Sequence, residues 1–186
     1  MRMALSLAQE AELAGEVPVG AVLVLDDQVI GRGRNAPIER SDPTAHAEIL
    51  ALREACAFTG NYRLERATLY TTLEPCIMCA GALVTARVER LIFGARDLRF
   101  GGVRSKFRLA DAEVLNHRLA IEEGVLGAEC AADAKILRGT APARRQINYA
   151  ARRTGCGNRK CCGRGGTSRH SGSFTAPATN REGPLK

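Results

Sequence analysis

Two short segments constrain this chain more than any other feature. The first is Thr44-Ala45-His46-Ala47-Glu48; the second, some thirty residues later, is Glu74-Pro75-Cys76-Ile77-Met78-Cys79. Cys76 and Cys79 stand three apart at a helix start marked by Pro75, so both sulfurs reach one face of that end. The positive end of a helix lowers a thiol pKa and favours the thiolate that a metal needs. Two thiolates and one imidazole suit zinc, and three protein ligands leave a fourth position for water. Zinc lowers the pKa of such a water towards ~7. Glu48, two residues after His46, is placed to move protons rather than to bind metal. If His46, Cys76 and Cys79 hold one ion, the fold must carry both segments to one place.

The same residues carry other readings. Cys76 and Cys79 could form a redox pair, although Pro75 and the distant His-x-Glu fit a metal site better. A structural zinc would need a fourth protein ligand, from Cys56 or Cys130. His46 could be a core histidine unrelated to the cysteines.

Charge divides the chain. Residues 1–137 hold 16 Lys/Arg and 19 Asp/Glu, a net of −3, whereas residues 138–186 hold 11 Lys/Arg and one acid, Glu182. The formal charge of +7 therefore comes from the last 49 residues, which also contain eight of the 19 glycines. Such a stretch buries too little apolar surface to offset chain entropy. The expected organisation is one folded domain over 1–137 and a basic Gly/Arg-rich, disordered tail over 138–186. Cys156, Cys161, Cys162 and His170 lie in that tail, and their spacing fits no common metal box. No apolar run reaches the roughly 18 residues that span a bilayer. The N-terminal 14 residues are too charged for a secretory signal.

Within 1–137, helical spacing covers 1–15, a buried strand 19–25, a turn 26–28 and a returning strand 29–30. A polar loop over 34–44 precedes a helix over 45–58, which stops at Gly60. A β-branched strand at 67–73 is followed by a helix over 75–87, a strand at 90–93, a fifth strand at 116–121 and a closing helix over 126–137. A hairpin followed by strand–helix alternation predicts a three-layer α/β/α sandwich on a mixed five-stranded sheet.

The His-x-Glu and Pro-Cys-x-x-Cys pair is the signature of zinc nucleobase deaminases. Further segments narrow the resemblance. Glu16-Val17-Pro18-Val19-Gly20-Ala21-Val22, Asp42-Pro43-Thr44-Ala45-His46-Ala47-Glu48 and Leu73-Glu74-Pro75-Cys76-Ile77-Met78-Cys79-Ala80-Gly81-Ala82 resemble the bacterial tRNA adenosine deaminases. Phe93-Gly94-Ala95-Arg96-Asp97 and Asn116-His117-Arg118 do so too, and the likeness runs from residue 1 to about Ala132. It implies a cytidine deaminase-like fold, Zn2+ on His46, Cys76 and Cys79, and Glu48 as general acid/base. Asn35 would hydrogen-bond the flipped base. Glu16, Val17, Pro18, Leu73 and Pro75 would line its pocket. Asp97 would sit beside the target ribose, where a carboxylate can accept from a 2′-hydroxyl. The implied reaction is deamination of the wobble adenosine of tRNA to inosine, by a homodimer that binds the anticodon stem-loop. Zinc thiolates suit a reducing cytoplasm.

Local sequence also allows plainer roles. Asn35 could be a turn residue after Gly33-Arg34, Asp97 a loop acid beside Arg96, and Val17 and Leu73 plain core. Arg96, Arg99, Arg104, Lys106 and Arg108 could form a phosphate-contacting rim or a solvated charge run. The same zinc box serves free-base deaminases of cytosine or guanine. A catalytically idle nucleic-acid-binding partner is a third class, but such a scaffold needs no Glu48.

The chain departs from the family in three places. Met1 falls inside the family's first helix, so a shorter helix or an upstream start is expected. The loop Leu98-Arg99-Phe100-Gly101-Gly102 is bulkier and more basic than usual. After Ala132 the family's aromatic- and arginine-bearing helix is replaced by a segment broken at Gly139 and Pro142. A natural shift of reading frame or a sequencing error near codon 133 would account for that change, and the gene's DNA tests it.

Overall fold

The structure, a computed structural model, describes residues 1–132. The expected boundary near Leu137, the basic tail 138–186 and its Cys156, Cys161, Cys162 and His170 lie outside the described residues. The elements in chain order are α1 (Arg2–Leu13), β1 (Gly20–Leu25), β2 (Gln28–Arg34), α2 (Pro37–Arg40), α3 (Ala47–Thr59), β3 (Thr68–Leu73), α4 (Ile77–Thr85), β4 (Arg90–Ala95) and β5 (Ala120–Glu123). A further helical segment occupies 127–132.

The five strands form one sheet in the order β2-β1-β3-β4-β5. β1 pairs antiparallel with both β2 and β3. β3, β4 and β5 run parallel, so the sheet is mixed, as expected. The β1–β2 turn is built on Asp26 and Asp27, both at positive φ (48° and 61°). Two successive left-handed residues match the strand twist in a tight hairpin. The parallel β3–β4 pair needs a crossover, which α4 supplies.

Side chains alternate across a strand, so neighbouring positions assign the layers. A Cβ on Gly20 would meet the Ala4 carbonyl oxygen of α1 at 2.0 Å. Gly33, the partner of the next residue Ala21, faces the other side, where a Cβ would meet the Ala47 carbonyl oxygen of α3 at 2.1 Å. α1 therefore covers one face and α3 the other. Gly94 of β4 is pressed against the Cys130 side chain, which brings the 127–132 segment onto the α1 face along with Thr72, whose hydroxyl accepts from Gly20 N–H. This is the expected α/β/α sandwich. Its core is filled by Leu23, Leu69, Leu83, Val88, Leu91 and Phe93, all fully buried.

Several boundaries differ from expectation: β2 runs over Gln28–Arg34 against the expected 29–30, and β4 continues to Ala95. β5 begins at Ala120, not 116, because Asn116 and His117 are taken by other contacts: Arg87 Nη1 donates to the Asn116 carbonyl (2.7 Å), and His117 Nε2 bonds the Val88 carbonyl (2.7 Å). α4 begins after Cys76 and ends at Thr85, with Pro75 just ahead of it. The loop 34–44 contains the four-residue α2, whose start is held by Glu16, more than twenty residues away. No helix among the described residues is long and apolar enough to cross a membrane.

Gly33→Ala has no room for its methyl group against α3. We expect a loss of about 3 kcal/mol in urea unfolding, and a weaker site as well, because Ala47 lies between His46 and Glu48.

Candidate active site

His46 is the residue that opens α3, and Cys76 the residue that opens α4. The sandwich aligns these two helix starts beside the end of β3, so two positive helix termini face one point. There His46 Nδ1 lies 3.6 Å from Cys76 Sγ and 3.6 Å from Cys79 Sγ, and the two sulfurs are 3.7 Å apart. A tetrahedral ion with bonds of about 2.3 Å to sulfur and about 2.0 Å to nitrogen separates sulfurs by about 3.8 Å, and sulfur from nitrogen by about 3.5 Å. The three side chains fit a zinc-like ion without rearrangement. Among the described residues they are the one group of metal-ligating side chains this close together.

The protons tell the same story. Cys76 is pulled down to about 4, first by its hydrogen bond with Cys79 and then by His46. That same hydrogen bond, with burial, pushes the Cys79 thiol up. Two sulfurs at this separation hold a single negative charge between them unless a cation balances a second. His46 is pushed up, chiefly by its hydrogen bond to Cys76.

Glu48 sits in the first turn of α3 and is buried (4% exposed). Burial pushes its carboxyl up, which favours a protonated or proton-sharing state. It is outside the ligand group, as its expected role requires. Cys56 and Cys130, the expected alternatives for a fourth ligand, are engaged elsewhere. Cys56 Sγ lies 3.9 Å from the Tyr62 carbonyl, and Cys130 packs on Gly94.

A cavity of about 380 Å³ opens onto His46, Glu48 and Cys76. Val17, Val19, Pro37 and Leu73 supply apolar lining, and Asn35, Glu74, Asp97, Arg99 and Phe100 line it as well. Asn35 is buried, and its Oδ1 accepts from the Ala47 N–H at 3.0 Å. It therefore fixes the start of α3 and is more than a turn residue. With the oxygen engaged, its NH2 is the group left to offer a ligand. Asp97 Oδ1 accepts from the Arg99 and Phe100 amides at 2.9 and 3.3 Å. Arg96 pairs with Glu123 rather than with Asp97.

Three expected pocket residues are not in the lining. Glu16 is buried, and its Oε1 accepts from the Ile38 and Glu39 amides at 2.9 Å each, so its carboxylate holds α2 in place. Pro18 and Pro75 are buried without facing the cavity. The basic segment 96–108 is also less open than its composition suggests. Arg96 pairs with Glu123, and Arg104 and Arg108 pair with Asp111. Arg99 and Lys106 remain without an ion-pair partner among the described residues. Val19, Pro37, Phe100 and Glu74 line the cavity without an expected site role, and Glu74 stands out among them as a carboxylate only 2% exposed. The signal for it was an acid at the end of an otherwise uncharged strand, where burial demands partners.

Fold and cluster together define a deaminase: the MafB19-like deaminase family matches residues 1–131. The tRNA-specific adenosine deaminase of Haemophilus influenzae is 54% identical over 131 residues, covering 70% of this chain and 76% of the relative. A solved structure of a tRNA:A34 deaminase, studied for A-to-I editing at the wobble position, is 45% identical with a TM-score of 0.70, covering 72% of this chain and 96% of the other. A guanine deaminase structure from Bacillus subtilis is 32% identical with a TM-score of 0.51, covering 75% and 92%. The chain belongs to the family of tRNA-specific adenosine deaminases.

Metal uptake must displace the protons that Cys79 and His46 hold. Both are pushed up, so affinity for a divalent ion should rise with pH and fall as pH drops through the imidazole range. Competition with a chromophoric chelator at several pH values measures this, and Cys79→Ala should abolish one-to-one binding.

Proposed function

We propose that this chain deaminates adenosine to inosine in the anticodon loop of a tRNA, with zinc held by His46, Cys76 and Cys79. The observation that carries the reading is the juxtaposition of that cluster with a buried Glu48 at the floor of one cavity. When bound, zinc supplies a water of lowered pKa at neutral pH.

Glu48 performs the proton transfers. Its carboxylate takes a proton from the attacking water as oxygen adds to C6 of the base, and delivers it to the ring nitrogen N1. A second transfer through the same carboxyl protonates the departing amine, so that water and adenosine give inosine and ammonia. A raised carboxyl pKa suits both directions, because the group must accept and release a proton within one cycle. Val17, Val19 and Leu73 provide an apolar slot for the base and exclude bulk water. Asn35 has its NH2 to donate to a ring acceptor. Asp97, with Oδ1 committed to its own loop, has Oδ2 for a ribose hydroxyl.

Charge supports RNA in a narrower way than the net total suggests. Within the basic segment 96–108, Arg99 lines the cavity and, with Lys106, has no ion-pair partner among the described residues, while Arg96, Arg104 and Arg108 are paired with Glu123 and Asp111, so Arg99 is available there for phosphate. The reading includes a homodimer and a cytoplasmic location, where the thiols stay reduced. Light scattering after size exclusion tests the first of these.

The deciding assay offers an anticodon stem-loop containing adenosine, alongside free guanine and free cytosine. Inosine in the RNA is expected. Ammonia from a free base with no RNA product would make this a free-base deaminase. Glu48→Gln should retain one zinc per chain and lose about 10²- to 10⁴-fold in kcat; retained turnover would remove Glu48 from the chemistry.

A further inference from the structure

The chemistry above leaves Glu74 unused, yet it is among the most heavily hydrogen-bonded side chains in the structure. Its Oε1 accepts from the amides of Val103 (3.1 Å), Arg104 (2.6 Å) and Ser105 (2.9 Å). Its Oε2 accepts from the Asp97 amide at 3.1 Å and from the Ser105 hydroxyl. Five donors therefore converge on one buried carboxylate, and four of them are backbone groups from the two ends of a single loop. That loop has no regular ladder to satisfy those amides, so the carboxylate stands in for one.

Other contacts press the loop onto the same strand end. Gly101 forms a bridge with Cys76, and Gly102 N–H donates to the Pro75 carbonyl at 2.8 Å. A Cβ on Gly101 would meet the Glu74 carboxyl group at 2.4 to 2.5 Å. Between the two anchored ends, the backbone turns around Asp97 and presents Asp97, Arg99 and Phe100 to the cavity. Arg99 lies over the Phe100 ring, its guanidinium carbon 5.6 Å from the centroid, and Phe100 is 65% exposed.

The geometry points to Glu74 as a positioning residue: it holds the 97–105 loop as one wall of the cavity and so sets how tightly an RNA substrate is bound, without touching the reacting atoms. The inference rests on the reading of this cavity as the substrate site. A carboxylate is required because all five partners donate. The amide of Gln would turn an NH2 group toward some of those donors, leaving them unpaired and repelled. Once released, the wall loses its fixed arrangement of charge and ring, whereas His46 and Cys76 stay at the starts of α3 and α4, and Glu48 and Cys79 stay within them. Substrate binding should suffer and the chemical step should not.

The test compares wild type, Glu74→Gln and Gly101→Ala as zinc-loaded full-length proteins. Each is assayed for kcat and KM on an adenosine-containing anticodon stem-loop, for zinc content, and for amide hydrogen exchange. Expected for both variants are a KM raised about tenfold, a kcat within about threefold of wild type and one zinc per chain. Exchange should quicken at residues 97 and 103–105 while α3 and α4 keep their protection. A purely structural defect would lower the active fraction, and hence apparent kcat, with KM unchanged. If Glu74→Gln misfolds, Gly101→Ala decides, because it drives a methyl group into the carboxylate and leaves the acid in place. Unchanged loop exchange, or a loosened loop with an unchanged KM, overturns the proposal while the functional reading stands. A wild-type protein inert on the stem-loop removes that reading, and the proposal with it.

Discussion

Two sulfurs and an imidazole nitrogen lie within 3.7 Å of one another at the meeting point of two helix starts. As a set of protein groups alone, this arrangement is electrostatically incomplete. One thiol is acidified to about 4 and its neighbour is pushed the opposite way, because a single negative charge is all the pair can hold unaided. Much of the surrounding architecture keeps those three atoms together. β3 lies at the centre of the sheet between an antiparallel and a parallel neighbour, and its end fixes Leu73, Glu74 and Cys76. α3 is brought down onto β2 through Gly33, and Asn35 takes the Ala47 amide, so that His46 and Glu48 are fixed by the same contact that closes the sandwich. Stability and chemistry share these residues, which is why a packing change at Gly33 reaches the site.

The chain's order of elements was legible because its periodicities are clean. An uninterrupted apolar strand at 20–25, a β-branched strand at 68–73 and a helix stopped at Gly60 each carry their own local signal. The metal-ligating residues were legible because the chemistry of thiolates and imidazole restricts spacing. What could not be read was set by distant partners. α2 is four residues long and is held by Glu16. The start of β5 was displaced because Asn116 and His117 answer to Arg87 and Val88. Glu74 sat in plain view within a motif, but its five donors come from residues 23 to 31 positions away, and no local pattern reports them.

Charge offers a related lesson. A run of five basic residues over 96–108 reads as an anion-binding strip. Folding sets Glu123 and Asp111 against three of them, and both acids lie outside the window in which the run is counted. Composition counts charges, whereas recognition depends on those the fold leaves unpaired. Here that distinction moves attention to Arg99, which lines the cavity, and away from the sum over the segment.

The anchored loop has one more consequence. Its main-chain path is specified by a carboxylate outside it and by two glycines that lie against the strand end, whereas Leu98, Arg99 and Phe100 take no part in that scaffold through their side chains. Shape and content are therefore encoded separately. A change of charge, bulk or aromaticity at these three positions leaves the loop's backbone anchors in place.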